Sequence, residues 1–274
     1  ANQQAAAADA HYAHQHDPQG AYPIIYMPHN HHFLWFAAVM SGQGEVAMQA
    51  AQQTANLVDR SLLGEAGNGP LQHFTMIPLY TQVRFGKWDE ILAQPAPEQN
   101  LLYPTGVWHF ARGMAYTAKG QLQQANRELR ELEAIATNTD LSSVTVDGLN
   151  SADHLLKIAI EVLSGELAVK QGNDEEAIAH IRKGVEWEDS LKYTEPASWH
   201  SPVRQTLGAV LLQANRTAEA EQVYREDLAM YPENGWSLYG LAQSLRAQGK
   251  NQEAQQVQAR FEQAWQYADS AANL

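Results

Sequence analysis

Apolar and small residues in the C-terminal part of the chain fall at helical spacing, in a pattern that repeats. Leu207, Gly208 and Leu211 stand at i, i+1 and i+4, on one face of a helix. Asn215 follows, a residue that tolerates the left-handed backbone at a helix end. Gly208 and Ala220 are small enough to let two helices approach closely. The same positions recur 34 residues later as Leu241, Ala242, Leu245, Gly249 and Ala254. The pattern predicts two antiparallel helices joined by a tight turn, with Pro232 ending the second helix and opening the next unit.

The frame extends towards the N-terminus. Ser164-Gly165, Ala168, Gly172 and Ala177 fit it, as do Arg112-Gly113, Tyr116, Gly120 and Ala125. Leu34-Trp35, Ala38, Gly42 and Ala47 fit more loosely. Pro78-Leu79, Gly86 and Ile91 fit poorly, but Phe85-Gly86-Lys87-Trp88-Asp89-Glu90 reads as an inter-helix turn. First helices are therefore predicted to begin near residues 28, 72, 106, 158, 201 and 235. The expected fold is all-α, with residues 28–274 forming about six helix-turn-helix units. Insertions interrupt the period at 137–151 and 192–201, and insertions in a repeat array map to loops on one face, where function tends to reside. Residues 1–27 read as an N-terminal helix and loop. There Ala6, Ala10, Ala13 and Pro18 reproduce a second helix, as the end of a truncated preceding repeat or as an Ala-rich capping helix.

A 34-residue period of helix pairs resembles the tetratricopeptide repeat over roughly residues 28–266, which implies a right-handed α-α superhelix, a solenoid. Four stretches also look like a bacterial family of such proteins. They are Tyr26-Met27-Pro28-His29-Asn30-His31-His32-Phe33-Leu34, Arg84-Phe85-Gly86-Lys87-Trp88-Asp89-Glu90-Ile91-Leu92, Trp108-His109-Phe110-Ala111-Arg112-Gly113 and Tyr224-Arg225-Glu226-Asp227-Leu228. Members of that family often carry a further repeat block upstream, which agrees with a truncated start. In tetratricopeptide proteins the first helices line a concave groove that usually holds a peptide. The resemblance thus implies a scaffold binding a peptide, a partner protein or a small ligand, with Tyr80, Phe110 and Tyr239 among the groove residues. Arg84, Lys170 and Arg246 sit only at the ends of those helices, which speaks against a clamp for a C-terminal carboxylate.

Charge narrows the partners. The 274 residues carry a net charge of -13 with His neutral, and no Lys/Arg cluster offsets it. Nucleic-acid phosphate and an anionic membrane surface are both disfavoured. The longest apolar run, Phe33 to Met40, is far below the roughly 18 residues of a membrane span, so no membrane insertion is expected. No targeting segment opens the sequence, and the expectation is a soluble protein of cytoplasm or periplasm. With no Cys, disulfides, thiolate nucleophiles and cysteine-zinc sites are excluded.

The candidate chemistry is concentrated in His and aromatic residues. His29 and His32 are spaced i, i+3 and share a helical face, and His73 and His109 stand at comparable places in the next two units. Together they are a candidate metal cluster, for copper if Met76 and Met114 contribute or for zinc with a carboxylate such as Glu195. The competing reading is that these His residues cap helices and pack on aromatics. Tyr26, Trp108 and Trp199 lie near the starts of first helices and, with His109, form candidate walls for a small ligand. Aromatics at such places also serve packing between repeats. An acid-base enzyme is a third possibility, requiring a pocket that joins His109 to Glu195 or His200. Gly42-Gln43-Gly44-Glu45-Val46-Ala47 matches a dinucleotide fingerprint only in letters, because a helix and not a strand precedes it.

Overall fold

In the computed structural model, residues 2–16, 20 and 22–269 are described. Pro18, one of the residues behind the reading of the N-terminal segment, lies outside them. Thirteen helices run through the described residues, and no strand occurs among them. Helix α1 (Asn2–His16) is followed by a π-helical turn at Tyr22–Tyr26. Six helical hairpins come next: α2 (Met27–Met40) with α3 (Gly44–Asn56), α4 (Gly69–Arg84) with α5 (Trp88–Ala93), and α6 (Leu102–Ala118) with α7 (Leu122–Ala136). The remaining three are α8 (Ala152–Gln171) with α9 (Asp174–Asp189), α10 (Val203–Gln213) with α11 (Thr217–Met230), and α12 (Gly235–Ala247) with α13 (Asn251–Ala264). The predicted starts at 28, 72, 106, 158, 201 and 235 are observed at 27, 69, 102, 152, 203 and 235.

The hairpins form where the repeat frame places its turn residue. Gly42, Gly86, Gly120, Gly172, Asn215 and Gly249 all take positive φ, between 60° and 78°. At Asn215 this is the left-handed conformation that an Asn side chain tolerates and most others do not. The fingerprint-like glycine Gly42 is accordingly the turn between α2 and α3. The small residues act as the spacing predicts: a Cβ placed on Gly208 would collide with the Tyr224 ring on α11.

Burial separates the two helices of a hairpin. Helix α4 buries eleven residues, from Gly69 to Val83, whereas α7 buries only Ala125 and Leu132. First helices pack against their own partner and against the first helices of adjacent hairpins, α2 on α4, α4 on α6, α6 on α8, α8 on α10 and α10 on α12. They therefore need apolar residues around most of their circumference, while a second helix needs only a stripe. The main core runs continuously from Trp35 to Val257. A smaller cluster of Val58, Leu63, Leu71, Phe74 and Leu101 lies under Ile24 and Ile25.

Two further features place the site. Asp9 accepts hydrogen bonds from Tyr22 and Asn30, both at 2.6 Å, and so ties α1 to the start of α2. The first and last hairpins also meet: Trp236 Nε1 donates to the Val39 carbonyl at 2.9 Å, and the Asp269 carboxylate accepts the backbone N–H of Glu45 at 2.8 Å. No helix among the described residues is long and apolar enough to cross a membrane.

Candidate functional site

The first turn of α2 begins with Pro28, whose fixed φ and missing N–H suit that position. His29 and His32, three residues apart on one face of α2, line the same cavity as Pro70, His73 and Phe74 from the first turns of α4. The two inserted segments close over these residues. Segment 137–151 folds back on itself through Asp147, whose carboxylate accepts the backbone N–H of Leu149 at 2.8 Å and of Asn150 at 2.7 Å. Segment 192–201 is fastened to it by Ser198, which donates to Asp147, and by the Asn150 amide, which donates to Ser198 Oγ at 2.9 Å. Between these four elements lies a cavity of about 510 Å³, within the range of small-molecule sites.

The lining combines apolar walls with a few polar groups. Ile25, Pro70, Phe74, Val146 and Pro196 supply much of the wall, with Tyr26, Leu149 and Tyr193 at the exposed mouth. Six large apolar side chains are exposed among the described residues, and these last three are half of them. Exposed apolar area gathered at one place marks a binding surface more than scattered exposure does. The polar lining is His29, His32, His73, Asp147, Thr194, Glu195 and Ser198.

Burial sets the charge state. His32 and His73 are 5% and 3% exposed. Desolvation, helped by the neighbouring His73 and His29, holds His32 well below the ordinary imidazole range. Desolvation also pulls His73 down to about 4, against the pull of Asp147. Desolvation lowers the half-buried His29 as well. Burial opposes ionisation of Asp147, but hydrogen bonds from Ser198, from the backbone of Asn150 and Leu149, and from the Asn150 amide outweigh it and hold the carboxyl below its usual range. At neutral pH the site therefore holds uncharged imidazoles beside an ionised carboxylate.

Behind the cavity is a buried polar relay. His73 Nδ1 meets Tyr103 Oη at 2.7 Å, and Tyr103 Oη lies 3.3 Å from Tyr80 Oη. The His200 ring stacks on Tyr80 with centroids 4.3 Å apart. Three imidazole nitrogens are buried without a hydrogen-bond partner among the described residues, His31 Nδ1, His32 Nε2 and His200 Nδ1, and of these residues His32 lines the cavity.

Of the residues singled out in the sequence, His29, His32, His73 and Tyr26 come together on this cavity. His109 does not join them. Its Nδ1 lies 2.7 Å from Glu128, which also pairs with Arg112, and Arg112 in turn covers the Trp108 ring at 4.4 Å. Tyr80, Phe110 and Trp199 are at most 2% exposed and pack on one another and on His200, so they form core behind the cavity and offer no face to a ligand. Tyr239 is half-buried against Phe261, with ring centroids 5.5 Å apart. Among the described residues no group of three or more His, Asp and Glu is arranged to hold a metal ion. His32 and His73 meet edge to face at 5.6 Å, and the Nδ1 of His73 is already engaged by Tyr103. Nor does a pocket join His109 to Glu195 or His200: Glu195 lines the cavity, His200 is buried behind it and His109 is on the Glu128 pair.

The pattern of the sequence gives no separate signal for Asp147, Leu149 and Tyr193. The one available clue is that all three stand in the segments that break the 34-residue period. Compared with known proteins, the chain matches no family model and no curated protein.

Proposed function

We propose that this chain is a tetratricopeptide-type binding scaffold, a solenoid that takes a small ligand, or the end of a peptide, in the cavity capped by its two inserted segments. The repeat assignment is supported by six hairpins beginning within six residues of the starts expected from the sequence, two of the steps close to 34 residues, each hairpin with a left-handed turn residue at the expected position. The observation that carries the binding reading is a coincidence at one place. Half of the large apolar side chains exposed among the described residues, the buried unpartnered Nε2 of His32 and the inserted segments 137–151 and 192–201 converge on a single 510 Å³ cavity. A groove-bound extended peptide is the weaker form of the reading, because Tyr80, Phe110 and Trp199 fill the place where such a groove would run.

The test is a fragment screen read by fluorine NMR on protein labelled with 3-fluorotyrosine, with signals assigned by Tyr→Phe substitution. Fragments that bind as proposed shift Tyr26 and Tyr193 and leave Tyr239 and Tyr267, which do not line the cavity, unmoved. Shifts spread over all four, or none at Tyr26 and Tyr193 from any fragment, would overturn it.

A further inference from the structure

The chemistry of the cavity walls points to the class of ligand, on the assumption that the cavity binds one. We propose that the site selects an organic cation, an ammonium group carried on an aromatic or branched apolar body.

Three observations carry this. First, the cavity carries negative charge without compensation. Asp147 and Glu195 both line it, and no Lys or Arg is among its described lining residues. Glu195 accepts the Tyr193 hydroxyl, and Asp147 accepts only uncharged donors, from Ser198, Leu149 and Asn150. Neither carboxylate takes part in an ion pair among the described residues, although carboxylates elsewhere, such as Glu221 and Glu128, have Lys or Arg on them. A half-buried carboxylate with no cation beside it leaves attraction for one that arrives.

Second, His32 is nine-tenths buried, lines the cavity and has an Nε2 with no partner. A neutral imidazole with its proton on Nδ1 presents a lone pair there, an acceptor for an N–H donor. Seven side-chain N and O atoms are buried without a partner among the described residues, and His32 Nε2 is the one whose residue lines this cavity, so a ligand donor seated there is its available partner. Third, the body of the ligand is specified by the rest of the wall. The faces of Tyr26, Tyr193 and Phe74 are the surfaces on which an organic cation rests most favourably, and Ile25, Val146 and Pro196 complete an apolar shell. A bare inorganic cation would leave that shell unused.

The experiment uses matched trios of fragments in the full chain. Each apolar body carries in turn an ammonium, a hydroxyl or a carboxylate, for example 2-phenylethylammonium, 2-phenylethanol and phenylacetate. Binding is read by the Tyr26 and Tyr193 fluorine signals and by titration calorimetry. The ammonium member of a trio is expected to bind at least tenfold tighter than the hydroxyl member. That preference should shrink severalfold in Glu195→Gln and in His32→Phe, with the melting temperature of Glu195→Gln unchanged because Glu195 is exposed. If hydroxyl or carboxylate members bind the cavity as well as ammonium members do, the charge selectivity is overturned while the cavity remains a binding site. If no member of any trio moves Tyr26 or Tyr193, this inference and the binding reading both fall.

Discussion

Asn150 and Ser198, 48 residues apart, are joined by a 2.9 Å hydrogen bond from the Asn150 amide to the Ser198 hydroxyl. The same amide donates to the Lys192 carbonyl at 2.9 Å, and its oxygen accepts the Lys192 N–H at 2.8 Å. One side chain thus substitutes for a strand partner to segment 192–201 and holds it over the cavity. Asn150→Ala would leave the Lys192 N–H and Ser198 without these partners. A loss of about 2–3 kcal/mol is expected from the unpaired groups. Hydrogen exchange should locate the effect, with faster exchange across 145–150 and 192–198 and little change in α12 and α13. Uniformly faster exchange would mean that Asn150 supports the whole fold and not the cap.

What the chain discloses before folding, and what it withholds, follows from the range of each interaction. Hairpin starts and turn residues such as Gly172 and Asn215 are legible because they depend on neighbours a few residues away. The fate of Tyr80, Phe110 and Trp199 is not, because it depends on how far successive hairpins rotate, a sum of many side-chain volumes. Their aromatic character suits a groove or a core equally, and the contact of Arg84 with Trp236 on the last hairpin shows how far the array closes up. His29, His32 and His73 were legible as a group because they recur at matching places on first helices. His109 shares that place in the frame, but Glu128 and Arg112 from its own hairpin draw it away.

The buried imidazoles make stability depend on pH in a way one substitution can isolate. His200 is held well below its ordinary pKa of about 6.5, first by desolvation and then by Arg84 and His73. The unfolded chain therefore binds a proton below about pH 6.5 that the folded chain refuses, so the stability is present above that value and is lost as the pH falls. Other groups act in the opposite sense. Burial pushes Glu188 up to about 8, and that penalty is relieved on acidification. The informative quantity is thus the difference between variants. His200→Phe keeps a ring on Tyr80 and removes both the proton uptake and the unpartnered Nδ1. It should equal or exceed the parent chain in stability at pH 7.5 and gain on it by about 2 kcal/mol by pH 5, at about 1.4 kcal/mol per pH unit. Calorimetric unfolding at the two pH values checks this, and parallel losses in both proteins would contradict it.

Gly208 tests the close approach of α10 and α11. Helix propensity alone would make Gly208→Ala stabilising by about 1 kcal/mol. The added Cβ would instead meet the Tyr224 ring, which is itself wedged against Gly240. Tyr224 is buried and has no free side to move towards. A net loss of about 1–3 kcal/mol is expected. The exposed neighbour Ala209 provides the contrast, since Ala209→Gly should cost about 1 kcal/mol by propensity only. Urea unfolding of the two variants should therefore show Gly to Ala and Ala to Gly both destabilising on adjacent residues of one helix.

Trp236 is where the last hairpin meets the first. Its Nε1 donates to Val39 O at 2.9 Å, the Arg84 guanidinium lies 3.7 Å from its ring centroid, and Trp265 packs edge-on at 5.1 Å while covering Gly42. Trp236→Phe keeps most of the ring but loses the donor, and about 1 kcal/mol should go with it. Trp236→Ala removes the ring from both neighbours and should cost about 3–5 kcal/mol. If this contact closes the array, the alanine variant should also lose protection at the α2–α3 turn, where the Asp269 carboxylate holds the Glu45 N–H, more than 190 residues away in sequence from the substitution. Hydrogen exchange at Gly42 and Glu45 decides it. A lower melting temperature with unchanged protection at that turn would show that the contacts of Trp236 with Val39 and Arg84 stabilise the chain without holding the α2–α3 turn in place.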